Sequence, residues 1–87
     1  MSSYNLTIST PDGNKFQGEV TRLFVRGVEG DLAIMAGHIP FATAVVGFTL
    51  KIYLPDGSSK SAETESGILT VGDDKVIFMS SGIGDLT

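Results

Sequence analysis

The sequence predicts an all-β domain, a sandwich or a barrel. Three observations lead there. Short runs of β-forming residues recur at near-regular spacing, turns rich in Gly, Pro and Asp separate them, and helical periodicity is nearly absent. The chain's 87 residues suffice for one core, since a domain of this size buries roughly 60–65% of the surface its unfolded form exposes. A single domain over residues 1–87 is expected, with no linker or internal repeat.

The first run, residues 4–9, alternates Tyr4, Leu6 and Ile8 with Asn5, Thr7 and Ser9, and Pro11-Asp12-Gly13-Asn14 supplies a tight reversal after it. A second strand is expected over 19–25. Val20 competes there with the Leu23/Val25 pair for the inner face, which suggests a bulge near Arg22 or Leu23. Gly27-Val28-Glu29-Gly30-Asp31 reads as a glycine-flanked acidic loop, followed by a short apolar strand over 32–35 and the loop 36–40. Residues 41–50 rival helix, but Gly47 interrupts them and Thr43, Val45 and Val46 disfavour it, so the segment is read as extended.

The cleanest alternation is 48–54, with Phe48, Leu50, Ile52 and Leu54 on one face and Thr49, Lys51 and Tyr53 on the other. Pro55-Asp56-Gly57 turns the chain into the polar stretch 58–65, a solvated edge carrying Lys60, Glu63 and Glu65. Two apolar strands, 68–71 and 75–79, are expected near the middle of a sheet. Residues 80–87 read as a loose tail. Stacking the sheets at about 10 Å places Leu6, Ile8, Phe16, Leu23, Val25 and Ile34 in one interior with Leu50, Ile52, Leu69, Val71, Val76 and Phe78.

Composition excludes several functions. No apolar run approaches the ~18 residues that cross a bilayer, and no basic-then-apolar leader opens the chain. With no cysteine there is neither a thiolate nucleophile nor a zinc–thiolate site. Six basic against ten acidic residues give a net charge of −4, which repels a phosphate backbone, so nucleic acid is not an expected partner.

The residues that could carry chemistry all have structural explanations. His38 is the one histidine, and no Gly-x-Ser-x-Gly elbow presents a serine to it. Gly57-Ser58-Ser59-Lys60-Ser61 lacks the glycine directly before lysine and the following helix that a phosphate loop needs. Gly82-Ile83-Gly84 lacks a third glycine and a helix after it. Asp73 and Asp74 lack the spread of oxygen ligands a calcium loop uses. Glu63 and Glu65 share one strand face, but in the most polar segment. No catalytic residue, metal or cofactor is expected.

A family resemblance carries the functional expectation. The order Phe16-x-Gly18-Glu19-Val20, Gly27-x-Glu29-Gly30-Asp31-Leu32-x-Ile34, Gly37-His38-x-Pro40-x-x-Thr43-Ala44, then Ser66-Gly67-x-Leu69-x-Val71 and Val76 resembles the N-terminal domain of the F-type ATP synthase epsilon subunit. The opening Leu6-x-Ile8-x-x-Pro11 also fits. The resemblance implies a flattened sandwich of two antiparallel sheets with about ten short strands, and a non-catalytic rotor domain that binds the gamma subunit and the polar loops of the membrane c-ring. It implies coupling of proton translocation to ATP synthesis, and a peripheral position on the cytoplasmic face of the bacterial inner membrane without insertion into it. Glu29 and Asp31 fall on the ring-facing loop, and His38, Pro40, Phe41 and Thr43 on the gamma-facing segment.

Departures from the family pattern are Asp31 for the usual glutamate, Phe41 for leucine, Ala36 for proline and Ala33 for glycine. The family commonly continues into an inhibitory, ATP-sensing C-terminal helical hairpin. This sequence stops at Thr87, so a short form or a chain cut to one domain is expected. Two other readings are a free-standing β-sandwich that binds a ligand or peptide at its loops, and a small hydrolase centred on His38. The first needs a concave aromatic patch, for which two tyrosines, five phenylalanines and no tryptophan are available.

Overall fold

The computed structural model describes residues 2–37 and 39–87, which form nine strands and no helix. They run β1 (Tyr4–Thr10), β2 (Gly13–Val20), β3 (Arg22–Gly27), β4 (Gly30–Met35), β5 (Phe41–Val45), β6 (Phe48–Tyr53), β7 (Ser59–Thr64), β8 (Gly67–Val71) and β9 (Lys75–Ser80). The all-β class expected from alternation and turn chemistry is the observed one. The rival helix over 41–50 is absent, since β5 and β6 occupy that segment.

The strands lie in one curled sheet rather than two separate ones. Its order is β2-β1-β9-β8-β5-β3-β6-β7, with β4 paired to β3 off this path. The halves meet at β3, whose one edge carries β4 over its whole length. Its other edge is divided. Residues 22–24 pair with β6, while Gly27 pairs with Val45 of β5. That single pair, flanked by Val46 N–H donating to the Arg26 carbonyl at 2.9 Å, is the seam along which the sheet folds over on itself. Pairing is antiparallel except between β1 and β9, the first and last strands, which run parallel. No hairpin joins them directly, so nothing obliges them to be antiparallel.

Two local expectations are corrected. The strand read over 19–25 is divided by Thr21, where the chain leaves β2 in one half and enters β3 in the other. Val20 and Leu23 therefore both point inward without a bulge between them. Thr21 N–H donates to the Tyr53 carbonyl at 2.8 Å, which ties the crossing down. The bulge that does occur lies between Ile8 and Ser9 opposite β2. The segment read as a loose tail is held along the outer edge of β7. Glu65 N–H donates to the Gly82 carbonyl at 2.8 Å, Gly84 N–H to the Glu63 carbonyl at 2.9 Å, and Ser61 and Thr87 exchange bonds of 3.0 and 3.1 Å. Ile83 and Leu86 pack against the core. An exposed strand edge has unpaired donors and acceptors, and this segment satisfies them.

The core follows the period of two. Of the residues expected inside, all are buried except Phe16, which is half-buried on the edge strand β2. Tyr4, Val20, Val45 and Ala62 join them. Each fully buried Leu, Ile or Phe contributes about 1.5–3 kcal/mol by leaving water. Tyr4 is 3% exposed, and its hydroxyl donates to the Ile34 carbonyl at 2.7 Å, linking β1 across the core to β4. Burial pushes that hydroxyl's pKa well above the ordinary tyrosine value. The strands expected in mid-sheet, β8 and β9, are flanked by β5 and β1. Phe48, expected on the inner face, instead points outward and is 45% exposed.

Candidate docking site

The acidic loop read from the sequence is the tip of the β3–β4 hairpin. Gly27 and Gly30 are paired, so Val28 and Glu29 alone form the turn. Gly30 has φ +127°, a backbone conformation in which a side chain is strained. Gly27 is favoured for a different reason, the crowding a side chain would meet. A Cβ there would sit 3.0 Å from Leu32 Cδ1 and 3.3 Å from the Gly30 carbonyl oxygen. The two glycines thus hold a tight, protruding turn on a full ladder, with Val28 and Glu29 exposed at its end.

Asp31 lies one step down the hairpin, directly opposite Arg26. Arg26 Nε donates to Asp31 Oδ1 at 2.9 Å, with side-chain exposures of 41% and 73%. The Arg26 guanidinium also rests on the face of Phe48, 3.6 Å from the ring centroid. This explains the outward turn of Phe48, since the cation covers its ring. Farther along the same face, Arg22 and Lys51 flank the Tyr53 ring at 4.9 and 5.1 Å, and Phe24 meets that ring edge-on at 5.8 Å.

The second group of expected site residues lies on and before β5. Pro40 is exposed, Phe41 is half-buried against the core, and Thr43 is half-buried. His38 falls outside the described residues. The two groups are neighbours in space. Gly27, Glu29, Asp31 and Leu32 of the hairpin face Phe41 and Thr43 of β5 across an open groove of about 250 Å³. The groove is an open trough with two carboxylates on one wall and an aromatic ring on the other, a shape suited to side chains of a partner surface.

The other sequence candidates lie away from this site, and only Glu63, Glu65 and the Gly82-Ile83-Gly84 stretch come together, around one open cavity. Lys60 stands on β7 after a turn in which Asp56 Oδ1 accepts from Ser58 N–H at 2.9 Å and Ser58 Oγ at 2.6 Å, so the would-be phosphate loop is a hairpin. Those bonds, the Ser58 hydroxyl first, hold the Asp56 carboxyl below its ordinary pKa. Asp73 and Asp74 are exposed in the β8–β9 turn. Glu63 accepts from the Thr49 hydroxyl, and Glu65 accepts from Ser81 Oγ at 3.2 Å. Among the described residues no three His, Cys, Asp or Glu side chains gather as a metal site. What the sequence did not single out is Arg26. Its signal was available in the spacing, because residues flanking a two-residue turn by equal steps must face each other across the hairpin.

A family model described as the beta-sandwich domain of the ATP synthase delta/epsilon chain matches residues 3–83. The chain belongs to this family. The ATP synthase epsilon chain of Clostridium perfringens is 33% identical over 78 residues, covering 90% of this chain and 59% of that one. The epsilon chain of Acetobacterium woodii, named as sodium ion specific, is likewise 33% identical over 78 residues. This chain thus spans about three-fifths of the length of those relatives. The epsilon chain of Chlorobium limicola is 32% identical over 81 residues, covering 93% of this chain and 92% of the relative. Among solved structures, a chain in the Euglena gracilis mitochondrial ATP synthase superposes with a TM-score of 0.90 at 20% identity, covering 97% of this chain and 54% of that one. That likeness is one of fold.

Proposed function

We propose that this domain is a non-catalytic element of the central stalk of an F-type ATP synthase, one that binds the gamma subunit and the polar loops of the membrane c-ring so that the three turn together. The family match across residues 3–83 carries the reading. In it, Glu29 and Asp31 on the β3–β4 hairpin face the ring, while His38, Pro40, Phe41 and Thr43 face gamma. Two features of the chain support it. The acidic tip stands on a complete strand ladder, which keeps it stiff under load, and the groove puts the two contact regions side by side. The domain then works at the cytoplasmic face of the bacterial inner membrane as a peripheral part, meeting protein loops rather than lipid.

A relative named for sodium matches this chain at the same identity as one with no such label. The reading is tested by mixing the chain with purified gamma subunit at micromolar concentration and passing it through a size-exclusion column. Co-elution is expected, and Thr43→Arg, which sets a long cation into the groove wall, reduces it. Separate elution at both low and high salt contradicts the proposal.

A further inference from the structure

We propose that Glu29, rather than Asp31, is the carboxylate through which the β3–β4 hairpin meets a cationic partner, with Arg26 as the positioning residue that makes it so. This rests on the ring-facing reading of the hairpin, and the partner chemistry is a guanidinium on a polar loop of the ring. The two acids are not equivalent. Asp31 already holds Arg26 at 2.9 Å, and Arg26 is fixed a second time by the Phe48 ring at 3.6 Å. A planar guanidinium held by both a carboxylate and an aromatic face keeps its geometry better than a lone surface ion pair. Glu29 sits at the protruding tip and has no ion-pair or hydrogen-bond partner among the described residues.

An approaching guanidinium therefore meets a compensated charge at Asp31 and an uncompensated one at Glu29. To reach Asp31 it must displace Arg26 or lie beside it, and either way two cations are brought close together. Glu29 carries no such cost. Its longer side chain also extends the reach of the tip, where the shorter Asp31 does not. Arg26 thus sets the hairpin to present one free negative charge instead of two.

The experiment measures binding of the immobilised chain to detergent-solubilised c-ring bearing arginine in its polar loops, at low ionic strength. All variants are checked for wild-type thermal unfolding. Glu29→Gln is expected to weaken binding about tenfold, and Asp31→Asn less than about threefold, as for loss of a free against a compensated charge. Arg26→Met should tighten binding about threefold by freeing Asp31, and Arg26→Met with Asp31→Asn should lose that gain. A merely structural role for Arg26 gives no gain at all. Losses as large for Asp31→Asn as for Glu29→Gln overturn the inference while leaving the hairpin as the ring contact. An Arg26→Met variant that binds no tighter overturns the role given to Arg26. Unchanged binding in every variant overturns both this inference and the ring-facing reading.

Discussion

Removing the Tyr4 hydroxyl has an effect whose sign depends on pH. Tyr4 is 3% exposed and donates to the Ile34 carbonyl at 2.7 Å, so Tyr4→Phe removes one buried neutral hydrogen bond without opening a cavity. At pH 7 the loss is about 1 kcal/mol, which lowers Tm by about 4–8 °C in a domain of this size. At high pH a second effect opposes it. Burial raises the folded-state pKa of Tyr4 above the unfolded value of about 10. The bond's stability is therefore fully present below pH 10, and is lost as pH rises toward the folded value because the unfolded chain releases the proton first. Between neutral pH and pH 11 that linkage removes about 1.4 kcal/mol from the wild type and nothing from Tyr4→Phe. The variant is therefore less stable at pH 7 and matches or overtakes the wild type near pH 11. Tyr53 is present in both proteins, so it cancels in the comparison. Urea unfolding of both proteins at half-unit steps from pH 7 to 11 measures the gap, and a gap that stays constant over that range refutes the reasoning.

Gly67→Ala places a Cβ 2.1 Å from the Met79 carbonyl oxygen and 2.8 Å from Ser80 Cα, so β8 and β9 must separate; a loss of about 3 kcal/mol or more in chemical denaturation is expected. Ser80→Ala removes the buried hydroxyl that donates to the Gly82 carbonyl at 2.7 Å and meets Thr64 Oγ1 at 2.9 Å. It should cost about 1–3 kcal/mol and speed hydrogen exchange at the Gly84 and Thr87 amides more than at β1. Asp56 is expected to titrate below ordinary aspartates in a carboxyl NMR titration, and Ser58→Ala to move it back up. Its contribution to stability is present above the unfolded pKa and fades as pH falls through the folded one.

Alternation carried much of the fold. Leu6 and Ile8, Leu23 and Val25, Leu50 and Ile52, and Val76 and Phe78 are buried in the pairs that a period of two dictates. The seam at Gly27 and Val45 was not legible, because the choice of which half a strand joins depends on pairings distant in sequence. Thr21 gave no local sign that the chain changes halves there. Phe48 was misplaced for a related reason. Its alternation with Leu50 is genuine, but at the strand's first residue a guanidinium across the sheet competes with the core for the ring, and it holds it. The tail was read as loose from its small and polar residues, although Ile83 and Leu86 are the apolar anchors that seat it. At the site, the glycine pair makes the Glu29 turn readable, and the same spacing sets Arg26 opposite Asp31, one step beyond each glycine.

Cysteine cross-linking tests the two-sided docking claim most directly, since the natural chain has no cysteine to interfere. Single cysteines at Glu29 and Thr43 would be introduced, and the chain assembled with gamma subunit and c-ring before a short maleimide cross-linker is added. Position 29 is expected to join the ring subunit and position 43 to join gamma, each in preference to the other. Cross-links that are exchanged between the two partners, or formed with neither in an assembled complex, contradict it.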